Sequence, residues 1–188
     1  MRQGFDAITI VAADVGDDAT APRLAGIAQQ AGRLRVWVNC AAIVAKVPFA
    51  ELDPAQWRET MRVDLDGVFR CCHAAFAPMA ADGGGVIINL ASLSGVAGVE
   101  KFPGLAAYNV AKAGVIALSE AIALEGKPLG VRCICLSPGA VETDMLRQAA
   151  PHLRAGVTPD DVAAIIAFLV TESAASLTGA NIPIFSNE

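Results

Sequence analysis

The sequence predicts an α/β fold, a doubly wound parallel sheet with helices on both faces. Two observations carry this. Short apolar runs alternate with helical patterns along the whole chain. The runs are apolar at nearly every position, as in strands buried on both faces. The bulk properties agree with a folded core: 188 residues, 54% of them hydrophobic. The net charge of -5, with no run of like charges, excludes a nucleic-acid groove and a polybasic membrane patch. No stretch of about 18 apolar residues is free of charge or turn residues. The first residues, MRQGFDAITIVAADVG, lack the form of a secretory signal. A cytoplasmic protein without a membrane partner is expected.

The elements follow in order. Ala7–Ala12 (AITIVA) reads as a buried strand, and Ala19–Ala31 as a helix capped by Asp17 or Asp18. Leu34–Asn39 (LRVWVN) is the next strand. Asp53-Pro54, a cap followed by a proline suited to the first helical position, opens a long helical stretch over Pro54–Met79. Gly83-Gly84-Gly85 stops it. Val86–Leu90 (VIINL) is a strand, Gly104–Glu125 a helix rich in small residues, and Val131–Leu136 (VRCICL) a strand. Thr158-Pro159 opens a helix to Val170, and Ala180–Phe185 closes the sheet. No linker or repeat divides the chain, so residues 1–188 read as a single domain.

The five cysteines are odd in number, and Cys71 and Cys72 are adjacent. That argues against a disulfide framework and fits a reducing compartment. Cys71-Cys72-His73 point in different directions on a helix, and no second ligand pair lies nearby. No metal is expected.

In a parallel sheet ligands bind beyond the carboxyl ends of the strands. Four clusters fall there: Asp14-Val15, Asn39-Cys40-Ala41-Ala42, Ser92 followed by Tyr108 and Lys112, and Ser137-Pro138-Gly139-Ala140-Val141-Glu142-Thr143. The four-residue spacing of Tyr108 and Lys112 places them one turn apart on one helix face. A phenol is a poor acid-base group near neutrality, and a neighbouring ammonium is expected to lower its pKa. Tyr108 then exchanges a proton with an alcohol or carbonyl oxygen, which the Ser92 hydroxyl also contacts.

With these clusters in this order, the chain resembles the short-chain dehydrogenase/reductase family over roughly residues 6–184. The resemblance implies a Rossmann-like sheet, NAD or NADP as cofactor, and an alcohol or ketone as substrate. It implies catalytic roles for Ser92, Tyr108 and Lys112, with Asp64 where the family usually has an asparagine. It implies cofactor contacts from Asp14 and Val15 (adenine), Asn39 and Ala41 (the NNAG-like segment), Tyr108 and Lys112 (nicotinamide ribose), and Pro138, Gly139, Val141 and Thr143 (carboxamide). A homodimer or homotetramer is implied through the helices around 54–79 and 104–125.

The family's opening strand, TGxxxGxG turn and helix have no counterpart here; Gly4 stands alone before AITIVA. The single domain therefore reads as incomplete, lacking the first βαβ unit, as in a truncated gene, a late start codon or a fragment. In the family order 3-2-1-4-5-6-7, two missing strands would separate AITIVA from LRVWVN. The expectation is that AITIVA moves over to pair with LRVWVN, keeping its backbone groups bonded. Two rival functions remain: a catalytically impaired subunit that serves only as an oligomer partner, and a serine hydrolase built on Ser92, Asp144 and His152. The second lacks the Gly-x-Ser-x-Gly turn around its serine.

Overall fold

The computed structural model describes residues 8–186. Four parallel strands form one sheet in the order β1-β2-β3-β4: β1 (Val36–Asn39), β2 (Gly85–Leu90), β3 (Val131–Pro138) and β4 (Asn181–Ile184). Each crossover carries helix, as parallel neighbours require. These are α2 (Pro54–Met61) and α3 (Gly67–Ala81), then α4 (Ala106–Gly126), then α5 (Asp144–Ala149) and α6 (Pro159–Leu169). Before β1 comes α1 (Thr20–Ala31), which packs on α3.

Alternating strand side chains feed two cores. Ile87, Cys133 and Cys135 pack with Cys72, Ala75 and Met79 of α3 and Val115 of α4. Ile88, Ile134 and Leu136 point the other way, onto Leu169 and Ala174. Helices and their connections therefore cover both faces of β2 and β3, and those strands are apolar throughout for that reason, while Val36 and Val38 of β1 stay exposed on the second face.

The expected strand at Ala7–Ala12 does not form. Ala7 lies outside the described residues, while Ile8 to Ala12 run without a strand partner. Ile8 is 74% and Ile10 91% exposed. AITIVA has not moved over to β1, whose outer edge has no strand beside it among the described residues. Composition records what surface a segment is fit to bury, and a strand also needs a partner edge within reach. The helix cap at Asp17 or Asp18 is also corrected. Ala19 occupies that position without a side-chain bond. Asp17 accepts from the Thr20 N–H only through its carbonyl, and the Asp18 carboxylate goes to Arg70 at 2.8 Å.

The cap at Asp53 is as expected. Its Oδ1 accepts from the N–H groups of Ala55 and Gln56 at 2.7 and 2.9 Å, and Gln56 Oε1 accepts from the Asp53 N–H. The helical stretch that follows is unbroken from Pro54 to Ala81. A five-residue π-helical turn, Arg62–Asp66, separates α2 from α3. Such a turn inserts a residue and re-aims the side chains within it, here burying Val63 and Asp64. At the far end of α3, a Cβ on Gly84 would stand 2.3 Å from the Gly130 carbonyl, and Gly84 has φ +109°. Only glycine fits that turn into β2.

The helix α4, with its extension to Leu129, is long and apolar enough to cross a membrane. Here it lies on β3, with Ala107, Ala111, Lys112, Val115 and Ala123 buried. The Thr158 cap of α6 is reciprocal, Thr158 Oγ1 accepting from the Asp161 N–H while Asp161 Oδ2 accepts from the Thr158 N–H. The short helix α5 was not foreseen. Thr143 caps it, accepting from the Leu146 N–H at 3.2 Å.

Candidate active site

Ser92 follows β2 by two residues and starts a tight turn, its Oγ accepting from the Ser94 N–H at 3.1 Å. The turn lies hard against α4: a Cβ on Gly95 would stand 2.5 Å from the Lys112 carbonyl carbon. Gly95 thus lets the Ser92 turn approach the helix that carries Tyr108 and Lys112.

Lys112 is 2% exposed. Its Nζ donates to the Leu90 carbonyl at 3.1 Å, at the end of β2. The same Nζ lies 5.5 Å from the centre of the Tyr108 ring and 3.9 Å from Asp64 Oδ2. Asp64 is fully buried; its Oδ1 accepts from the Ile43 N–H at 2.8 Å, and its Oδ2 has no hydrogen-bond partner. The end of β2, the π-helical turn, the segment after β1 and α4 therefore converge on one charge pair beside one phenol.

The electrostatics differ from the expectation for Tyr108. Removal from water pushes its phenol up to about 12; the Asp64 charge adds to this, and Ser92 pulls the other way. The predicted lowering by Lys112 does not occur, because burial of the phenol dominates and the Asp64 charge adds to it. Burial also drives Asp64 upward, against the pull of Lys112 and the Ile43 N–H. It drives Lys112 downward, against Asp64, Cys135 and Cys40.

The predicted cofactor contacts lie on the same end of the sheet. Asn39 is held inward, its Nδ2 donating to Asn89 Oδ1 at 2.7 Å and its Oδ1 accepting from Trp37 Nε1 at 2.8 Å. Asn89 Nδ2 continues to Ser119 Oγ at 2.9 Å, and Ser119 donates to the Val115 carbonyl. Asn39 thus presents backbone, not side chain, to a cleft of about 100 Å³ lined by Val15, Asn39, Cys40, Ala41, Gly67 and Val68. Gly67 is needed there, since a Cβ would stand 2.9 Å from the Val15 carbonyl. Asp14 is taken up locally: Oδ1 accepts from the Gly16 N–H, and Oδ2 pairs with Arg62 at 2.9 Å. Arg62 and that N–H hold the Asp14 carboxyl below its usual value.

Pro138 ends β3, and the Gly139 N–H donates to the Ile184 carbonyl. A Cβ on Gly139 would touch Leu93 at 2.9 Å, so this strand end lies against the Ser92 turn. The Thr143 hydroxyl is engaged at the start of α5 and donates to the Val141 carbonyl at 3.2 Å.

Sequence reasoning missed the Asn39–Asn89–Ser119 chain and the Arg62 clamp. The first had a signal: Asn89 is the one polar residue in VIINL, and a buried amide requires partners. The hydrolase set does not assemble. Asp144 is 87% exposed and paired with Arg147 at 2.6 Å, and the hydrogen bond Ser92 accepts comes from Ser94.

A parallel sheet with Ser92, Tyr108 and Lys112 gathered at its carboxyl end defines an oxidoreductase of the Rossmann-like class. A family model described as enoyl-(acyl carrier protein) reductase matches residues 2–184. The chain belongs to the short-chain dehydrogenase/reductase family. It is 35% identical to an acetoacetyl-CoA reductase of Allochromatium vinosum, over 97% of this chain and 77% of that one. Other matching relatives are named as dehydrogenases of D-threitol and of cis-4-hydroxycyclohexanecarboxylate. A solved structure from Brucella melitensis 16M, titled ribose-5-phosphate isomerase, is 37% identical with TM-score 0.82, covering 91% of this chain and 70% of that one. A short-chain dehydrogenase/reductase from Burkholderia xenovorans is 29% identical with TM-score 0.84, covering 94% and 72% respectively.

Proposed function

We propose that this chain transfers hydride between NAD or NADP and a small alcohol or ketone, with Tyr108 exchanging the proton. The observation that carries the reading is the convergence of Ser92, Tyr108 and Lys112 beyond β2. The residues present suit the nicotinamide end of the cofactor: Lys112 Nζ makes one hydrogen bond and keeps donors for a ribose hydroxyl. Gly139, Val141 and Thr143 would flank the carboxamide through backbone groups. The backbone at Asn39 and Ala41 would meet a ribose, and Asp14 and Val15 would stand toward the adenine. The cleft of about 100 Å³ is well below the roughly 300 Å³ or more of sites that enclose a whole cofactor. When bound, the nicotinamide supplies or takes the hydride. In reduction the Tyr108 phenol donates its proton to the carbonyl oxygen, and the Ser92 hydroxyl hydrogen-bonds that same oxygen.

The relatives named as reductases and dehydrogenases support this chemistry. The Brucella structure is titled an isomerase, and the reductase reading rests instead on the relatives named as reductases and dehydrogenases. The test is Tyr108→Phe, assayed with NADH and NADPH against a panel of ketones and 3-ketoacyl thioesters. Turnover is expected to fall about 10²–10⁴-fold with cofactor binding little changed. Near-parental turnover would overturn the assignment.

We propose further that the chain pairs as a homodimer or homotetramer through α4 and the α2–α3 stretch. Val110 and Leu124 on α4 and Phe69 on α3 are 48%, 76% and 52% exposed. Of the small residues that suggest close helix approach, Ala107 and Ala111 are buried within the protomer, while Ala113 and Ala117 are exposed. The five free cysteines support a reducing, cytoplasmic setting.

A further inference from the structure

We infer that Asp64 is the charge-compensating partner of Lys112, and that it holds the proton on Tyr108 so that the resting site is set to deliver a proton rather than to accept one. The inference rests on the proposed function only for its direction, delivery to a carbonyl oxygen; the charge arrangement itself is independent of turnover.

The geometry carries it. The two groups lie 3.9 Å apart with 2% and 0% of their side chains exposed. Asp64 Oδ2 has no hydrogen-bond partner and stands closest to the ammonium. In that space the proton has two places to rest. With carboxylate and ammonium the pair has zero net charge; with carboxylic acid and amine it again has zero net charge. In neither arrangement does the Tyr108 ring, 5.5 Å from Nζ, face a net positive charge that would stabilise a phenolate.

The other titratable groups around the site do not restore such a charge. Cys135 from β3 and Cys40 after β1 act on Lys112, and Ser92 acts on Tyr108. None of these is a cation; the Lys101 ammonium, which donates to the Leu93 and Val96 carbonyls of the Ser92 turn, is exposed and its charge is screened by solvent. During reduction the O–H bond of Tyr108 breaks as its proton bonds to the carbonyl oxygen; a bound reduced nicotinamide would supply the hydride for the carbonyl carbon. The phenolate left behind takes its proton back from solvent. An asparagine at position 64 would leave the ammonium uncompensated and the phenol more acidic.

Tyr108 is the single tyrosine of the chain, so one resonance reports this group alone. The experiment titrates the intact, cofactor-free chain carrying carbon-13 at the tyrosine Cζ, with circular dichroism following the fold at each pH. The parental resonance is expected to stay in its phenol position at about pH 10, where an ordinary tyrosine is half ionised. Asp64→Asn keeps an acceptor for the Ile43 N–H and removes the charge. Its midpoint is expected to fall by about one pH unit or more. Asp64→Ser is the second variant and is expected to move the same way. A parental midpoint at or below about 10, or folded variants that titrate with the parent, would overturn the inference. Because burial alone also raises the parental midpoint, the difference between parent and variant decides it, read from whichever of the two variants folds. Because no cofactor or substrate is present, a failed titration and a failed turnover assay are separate results.

Discussion

Asn89 Oδ1 receives the Asn39 Nδ2 at 2.7 Å across the pairing of β1 and β2, while Asn89 Nδ2 reaches Ser119 on α4. One fully buried amide thus ties the strand end of the cofactor cleft to the helix that carries Tyr108 and Lys112. Replacing it by leucine removes the acceptor of the Asn39 Nδ2 bond and the donor to Ser119 Oγ, leaving two buried groups each short of a partner. Each unsatisfied buried group costs about 1–3 kcal/mol. Asn89→Leu is therefore expected to destabilise the chain by roughly 2–5 kcal/mol, read as a lower urea midpoint at unchanged slope. A midpoint within error of the parent would show that the network is not held in solution.

Stability is also expected to decline at alkaline pH through Tyr108. Its phenol is raised from 10 to about 12 in the folded chain. A raised folded value means that the native state binds more protons, so this contribution is intact below about pH 10 and disappears as pH climbs through about 12. Tyr108→Phe is expected to flatten the urea midpoint over that window and leave it unchanged at neutral pH. Parallel curves for the two proteins would contradict the raised value.

The Arg62 clamp gives the opposite sign. Asp14 and Glu59 both sit below their ordinary values because Arg62 bonds them. Lowered folded values place their contribution above about pH 4, and it is lost as pH falls further. Both carboxylates are exposed, so the effect is small. Arg62→Gln is expected to shift the acid unfolding midpoint slightly upward, as followed by circular dichroism. The same variant is expected to loosen Asp14-Val15 at the cleft, seen as faster amide exchange at Gly16.

Light scattering at micromolar concentration is expected to give a dimer or tetramer. Val110→Glu with Leu124→Glu, which charges the exposed face of α4, is expected to shift the mass toward monomer. A monomeric parent would remove the helix-pairing proposal.

Much of this architecture is set by short-range chemistry that a sequence displays. Asp53-Pro54 and Thr158-Pro159 mark helix starts because a side-chain acceptor followed by proline satisfies the first-turn N–H groups wherever it occurs. The runs VIINL and VRCICL, apolar on both faces, require a doubly covered parallel sheet, and the family pattern pointed to Ser92, Tyr108 and Lys112 before any coordinates. AITIVA marks the boundary of that reasoning. Its residues are as apolar as those of β2, yet Ile8 and Ile10 face solvent, because strand formation depends on a neighbouring edge supplied from elsewhere in the chain. Likewise, nothing in the periodicity of Pro54–Met79 announced the π-helical turn, and only that turn brings Asp64 to within 3.9 Å of Lys112. Position 64 could be read as a departure from the family pattern. That Asp64 stands beside Lys112, and adds to the burial that raises the Tyr108 phenol, is decided by a distance between residues 48 positions apart in sequence, which burial makes electrostatically strong.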